Sequence, residues 1–225
     1  MSIRIQSAVE FEKLMEAIAS DALQAQDYRS LDKELIAARQ EYSREFAQTG
    51  TFWWLTHRAH AEAALYRLTR IYDQREDSLC LRTWLRLVEE NSHLFDERNF
   101  RQRLKSNPFV ESLAKDARKP DLHQLQLDRA SVEKNDPHVK MLLSHRNMSL
   151  AHLDPDGVLG SGASKDPQLT WSDVDILIER AVSIINRYSD LFRASVFVGN
   201  IVGHDDYKFL LRMVREWLAA HDENI

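Results

Sequence analysis

Glycine and proline are scarce in this chain, six and five among 225 residues. That is about one residue in twenty, against roughly 12% for the two together in soluble proteins. Few points are left where a helix must stop or a tight hairpin can form, so long helices are expected. A chain with 44% hydrophobic and 29% charged residues buries a real core and is not a disordered tail. Its length suits a single domain, residues 1–225. The longest run without Asp, Glu, Lys or Arg goes from Phe46 to His57, well short of the ~20 apolar residues of a membrane span. No membrane partner is therefore expected. Residues Met1 to Glu10 lack the apolar stretch and small-residue cleavage site of a secretory signal, so a cytoplasmic location is expected. One cysteine, Cys80, excludes an intramolecular disulfide framework and a multi-cysteine zinc site, and its apolar neighbours mark it as a small buried side chain. The net charge of −5 argues against a general nucleic-acid coater. A local basic cleft stays open, because contacts inside a Debye length of ~8 Å outweigh distant charge.

Caps and periodicity place the helices. Ser7-Ala-Val-Glu10 has the spacing of a capping box and leads into an apolar face of Phe11, Leu14, Ile18 and Ala22. A second helix is expected from Ser30, with Leu31, Leu35, Ala38, Tyr42 and Phe46 in phase and Gly50 at its end. A third runs from Phe52 to about Tyr72; its bulky start and its alanines at 59, 61, 63 and 64 suggest a central helix closely approached by a neighbour. Asp73 to Asp77 reads as a turn, with Ser78 capping a helix that carries Leu81, Trp84, Leu85 and Val88. Phe100 and Leu104 suit a short helix, Asn107-Pro108 another start, and 115–135 is undecided. Asp136-Pro137 opens a helix expected to reach about His152. The glycines at 157, 160 and 162 then make 154–171 a loop. Ser172 and Asp175 open the most regular helix, Val174 to Leu191; 194–203 is an undecided apolar interruption, and a last helix covers about Asp205 to His221.

Chemistry concentrates between Val139 and Asp154. On a wheel of about 100° per residue, Val139, Leu142, Leu143, Leu150 and Leu153 fall within about 60° of Arg146. An arginine at the centre of an apolar stripe is costly unless it meets an anion, a cleft or a subunit interface. Ser149 and His145 flank it, and His152 lies near the expected helix end, where its ring can turn toward Arg146. A permanent cation beside an imidazole of pKa near ~6.5 suits phosphoryl chemistry, one group holding developing charge and the other moving protons. Asn147 adds a neutral hydrogen-bonding group. The bland alternative stands beside this: Arg146 as a structural ion-pair residue and His152 as an ordinary histidine at a helix end.

Arg146-Asn147, then Met-Ser-Leu-Ala and His152, resembles the motif of HEPN domains: an arginine, an adjacent polar residue and a histidine a few positions on. With Leu68 to Asp73 and Ser78 to Arg82 upstream, the resemblance is closest to the AbiU-like abortive-infection branch and strongest over about 50–195. It implies an all-α fold, a single helical bundle of six to eight helices forming a homodimer in which two arginine and histidine pairs share a cleft. It implies an endoribonuclease of a defence or toxin-antitoxin system, working without metal or cofactor and leaving a 2′,3′-cyclic phosphate. RNA is the implied substrate, and an antitoxin or sensor protein the implied regulator. Carried over by position, His152 is the general acid or base, Arg146 stabilises the charge on phosphorus, and Asn147 orients phosphate or Arg146. His145, Ser149, Arg67 and Arg70 are candidate substrate-binding residues. The alternative is a non-catalytic module for dimerisation or for binding nucleotide or a partner. Nucleotidylation-silenced HEPN toxins carry a tyrosine two residues after the histidine; here that residue is Asp154, so such silencing is not implied, and the acid would instead orient His152.

Other spacings are weaker. His57-Arg-Ala-His60 lacks a third metal ligand, Glu90-Asn-Ser-His93 is one copy of a pattern that di-iron bundles need twice, and the glycine loop lacks the Gly-Lys-Ser/Thr ending of a phosphate loop.

Overall fold

The computed structural model describes residues 3–116, 118–147, 168–199 and 203–221, and among these there is no strand. The chain is all-α, in accord with the fold expected of a HEPN domain. It divides into two compact units, one of 1–23 with 66–198 and the other of 24–65 with 199–225.

The first helix, α1, runs unbroken from Ala8 to Glu41. Ser7 Oγ accepts from the Glu10 amide at 3.2 Å, and the Glu10 carboxylate accepts from the Gln6 amide, one residue before the cap. The break expected before Ser30 does not occur. Residues 20–30 hold neither glycine nor proline, and the buried Arg29–Asp32 pair at 2.7 Å spans the expected gap from within one helical turn. After α2 (Ser43–Gln48) comes α3 (Gly50–Ile71), so Gly50 begins a helix instead of ending one. Then follow α4 (Leu81–Glu90), a 3-10 turn (Ser92–Phe95), α5 (Glu97–Arg103) and the four-residue α6 (Val110–Leu113). Cys80, not Ser78, stands at the N-cap of α4 and makes no side-chain cap bond. It is fully buried, as its neighbours suggested.

The undecided stretch contains α7 (Leu122–Val132), capped by Asp121, whose side chain accepts from the Gln124 amide. Helix α8 (Pro137–His145) starts as expected, with Asp136 accepting from the amides of His138 and Val139. Helix α9 (Trp171–Arg193) starts one residue earlier than expected, because Thr170 and Asp173 form a reciprocal capping box in which each side chain accepts from the other's amide. Ala194 closes it in the left-handed conformation at φ 50. The segment beyond has no regular structure up to Gly199; the Asn186 side chain accepts from the Phe197 amide and donates to its carbonyl, supplying the pairing a strand partner would have given. The last helix is α10 (Asp206–His221).

In the first unit, α4 packs on α7, and α9 on α8 and α5. Its core is an aromatic cluster: Phe11 lies 5.0 Å from Phe192 and 5.5 Å from Phe95 by ring centroids, and Trp84 meets Tyr188 edge-on at 5.6 Å. The second unit packs α10 on α2 around Leu35, Ala38, Tyr42, Phe46 and Leu211. The bulky start of α3 is not central: Phe52, Trp54 and Leu55 are exposed, and only Trp53 turns inward, onto Phe46. No helix among the described residues is long and apolar enough to cross a membrane.

Candidate functional site

Helix α8 carries the site arginine, and its start is fixed from three directions. Asp136 caps it and pairs with Arg180 of α9 at 3.0 Å. His138 Nδ1 lies 2.8 Å from Asp173 Oδ1, itself part of the α9 capping box. The Thr170 hydroxyl and the His138 ring hold the Asp173 carboxyl below the usual carboxylate range. Val139 and Leu142 are fully buried beneath the helix. Regular α-helical geometry ends at His145, and Arg146 and Asn147 continue in a wider, π-helical turn. Such turns push the backbone outward and are common where side chains must be presented.

Arg146 meets the anion that its place in an apolar stripe demanded. Its Nη1 donates to Asp73 Oδ1 at 3.3 Å and its Nε to Asn147 Oδ1 at 3.2 Å. The side chain is 32% exposed and that of Asp73 16%. The bond to Asp73 runs through one nitrogen and is long for a charge-assisted contact, so the guanidinium is anchored and still faces solvent.

Asp73 belongs to the turn after α3, and its neighbours hold it. Tyr72 is buried and donates from its hydroxyl to the Leu177 carbonyl of α9. Burial pushes that phenol's pKa far above its usual value, so it stays a donor. Gln74 donates from its side chain to the carbonyls of Tyr72 and Val132 and accepts from the Lys134 amide. Asp73 is the site residue that sequence reasoning left without a role. The signal for it was present in Arg146's need for a counter-charge, but nothing local indicates an acid 73 positions away.

The other candidates are placed unevenly. His145 ends α8, and burial pushes its imidazole pKa below the usual value, favouring the neutral ring. Arg67 and Arg70 both bind Asp21, at 2.6 and 3.2 Å. His152, Ser149 and Asp154 lie outside the described residues, as does the expected continuation of the helix beyond Asn147. A cavity of 260 Å³ is lined by Glu76, Arg82, Thr83, Arg86 and Arg129. Each of its arginines is already paired, with Glu133, Glu90 and Glu89 respectively, so its local charge is largely cancelled.

Among the described residues no group of three or more His, Cys, Asp or Glu side chains is arranged to hold a metal ion. His57 lies 2.6 Å from Asp32, and Glu90 is paired with Arg86.

The family model HEPN_AbiU2, described as AbiU2, matches residues 8–219, spanning both compact units. No curated protein and no solved structure matches the chain.

Proposed function

Since the chain belongs to the AbiU2 family of HEPN proteins, we propose that it is a metal-independent endoribonuclease of a defence or toxin-antitoxin system. The observation that carries this reading is Arg146: a cation on a π-helical turn, anchored by Asp73 and Asn147 yet open to solvent. A guanidinium held in this way meets a phosphate without having to be ordered first, and its planar fork fits the equatorial oxygens of a pentavalent phosphorus. In the proposed reaction the ribose 2′-oxygen attacks the adjacent phosphorus and the bond from phosphorus to the 5′-oxygen breaks. His152 accepts the proton of the attacking hydroxyl, or donates one to the departing 5′-oxygen, and the second copy in a homodimer supplies the complementary histidine. Asn147 keeps Arg146 in plane with the phosphate. His145 and Ser149 border the strand, and Arg67 and Arg70 bind its flanking phosphates when released from Asp21. The net charge of −5 favours recognition that is local or assisted by a partner such as an antitoxin or sensor.

One observation favours a second reading. Asp73 already neutralises Arg146, which is also what a structural ion pair in a non-catalytic HEPN module looks like. Incubation with total RNA and tRNA in EDTA, followed by identification of the product ends, separates the two. Cyclic phosphate ends made by the wild type and by neither Arg146→Ala nor His152→Ala support the nuclease. No cleavage by folded protein supports the module.

A further inference from the structure

The second compact unit holds a cavity whose lining is cationic and aromatic. It measures 280 Å³ and is lined by Arg39 near the end of α1, by small or apolar residues of α2, and by Gly50, Trp53, Trp54 and His57 of α3. No carboxylate is among the described residues that line it. The acids nearby are already occupied: Asp32 accepts from Arg29 at 2.7 Å and meets His57 Nδ1 at 2.6 Å, and Glu45 accepts from Arg215. Arg39 has no ion pair among the described residues, unlike the arginines of the 260 Å³ cavity in the first unit, each taken by a glutamate. With Nδ1 turned to Asp32, His57 keeps Nε2 for a ligand, and no described residue takes it. Two indoles complete the lining. Trp53 packs on Phe46 at 4.7 Å between ring centroids. Trp54 is 58% exposed, with the Arg58 guanidinium 5.6 Å from its ring centroid.

These groups ask for different things, and one kind of ligand supplies both. An unpaired guanidinium calls for an anion, and an exposed indole for a flat ring to cover it. A nucleotide carries a phosphate beside a base, and bases of every type stack on tryptophan because each has a π-face. The size of the cavity narrows the choice, since drug-sized ligands take roughly 300–1,000 Å³ and this space suits a single base. The charge narrows it further. One free arginine matches the single charge of a phosphodiester, whereas a nucleoside triphosphate would bring several. Gly50 is the first residue of α3, and the positive end of that helix adds to the preference for an anion. A Cβ at Gly50 would meet nothing within 4 Å, so the space beside it is open.

We propose that this cavity holds one unstacked base of a single-stranded RNA, with Trp54 stacked on the base, Arg39 on the adjacent phosphate and His57 Nε2 hydrogen-bonded to the nucleotide. The inference rests on the preceding reading only for its choice of RNA, and the two fail separately. The test is binding of a short 2′-O-methyl oligoadenylate, whose blocked 2′-oxygens cannot attack phosphorus, read by quenching of tryptophan fluorescence in the full chain. Trp54→Ala is expected to weaken binding about tenfold and Trp54→Phe to restore most of it. Arg39→Gln is expected to weaken binding and to reduce the slope of log affinity against log salt by about 0.7, the share of one phosphate on a single strand. Both side chains are exposed, so thermal midpoints should not move. The same strand without bases should bind less well and be indifferent to Trp54→Ala. A folded wild type that does not bind, or binding unchanged in Trp54→Ala and Arg39→Gln, overturns the proposal. Free AMP binding as tightly as the strand overturns the assignment to RNA. Binding that depends on Trp54 in a protein that cleaves no RNA keeps this inference and defeats the nuclease; cleavage with binding indifferent to Trp54 and Arg39 does the reverse.

Discussion

Arg146 is the residue on which the functional reading turns, and its partners set what its variants should do. Arg146→Ala removes a partly exposed ion pair, so it should change stability by less than about 1 kcal/mol while abolishing cleavage. Arg146→Lys keeps the charge but loses the planar fork, and should recover only a small part of the activity. Denaturant melts of both variants beside end-mapped cleavage assays check this. Loss of fold in Arg146→Ala would count for the structural role. The need for a counter-charge at Arg146 was legible in the apolar residues around it on the helical wheel. The identity of that counter-charge was not, because hydrophobic periodicity reports which face is buried and nothing about what stands opposite. Asp128 shows the same limit at a purely structural position. Its buried carboxylate accepts from Arg187, from the Tyr188 hydroxyl at 2.8 Å and from the Gln124 amide group at 3.0 Å. Burial, and after it the Asp128 carboxylate, drives the Tyr188 pKa well above its usual value. Asp128→Ala should cost about 3 kcal/mol by urea unfolding, since it leaves buried donors unanswered.

At the scale of elements, start signals with their own hydrogen-bonding chemistry are legible in the sequence. Asp136-Pro137, the last helix and the cap at Ser7 need only short-range information. Asp136→Ala should destabilise the protein by about 1–2 kcal/mol through the loss of two capped amides, and it should lower cleavage as well, because α8 presents Arg146. A stability loss of that size with cleavage unaltered would detach the site from the helix start. The expected boundary at Ser30 fails because a polar stretch is not by itself a helix end. The chain passes through 20–30 as helix because Arg29, Asp32 and His57 satisfy one another inside the second unit, at 2.7 and 2.6 Å. A serine alone does not end a helix whose polar groups have partners. Trp84 marks the opposite case, an apolar periodicity that leads straight to the core. It is fully buried on α4, stacked on Phe11 and edge-on to Tyr188, and Trp84→Ala should cost about 3–5 kcal/mol by the same unfolding assay.

For the whole molecule, acidity is the informative variable. His60 and His145 both have pKa values lowered by burial, so the unfolded chain binds protons more readily than the folded one below about pH 6.5. Stability is therefore fully present above that pH and declines as the pH falls toward the lowered folded-state values. Thermal midpoints between pH 7.5 and 5.5 should fall, and less steeply in a His60→Gln, His145→Gln variant; equal slopes would show that other groups carry the effect. The amino-acid sequence by itself determined that this chain is helical, where most helices begin, and that it resembles the family to which it belongs. Those properties rest on glycine and proline content, caps and short motifs, all set within a few residues. Only the tertiary structure decided that α1 is continuous, that Asp73 holds Arg146, and that the aromatic start of α3 faces outward. Each of these depends on groups brought together from distant parts of the chain, and the energy of an ion pair or a buried face exists only once both sides are in place.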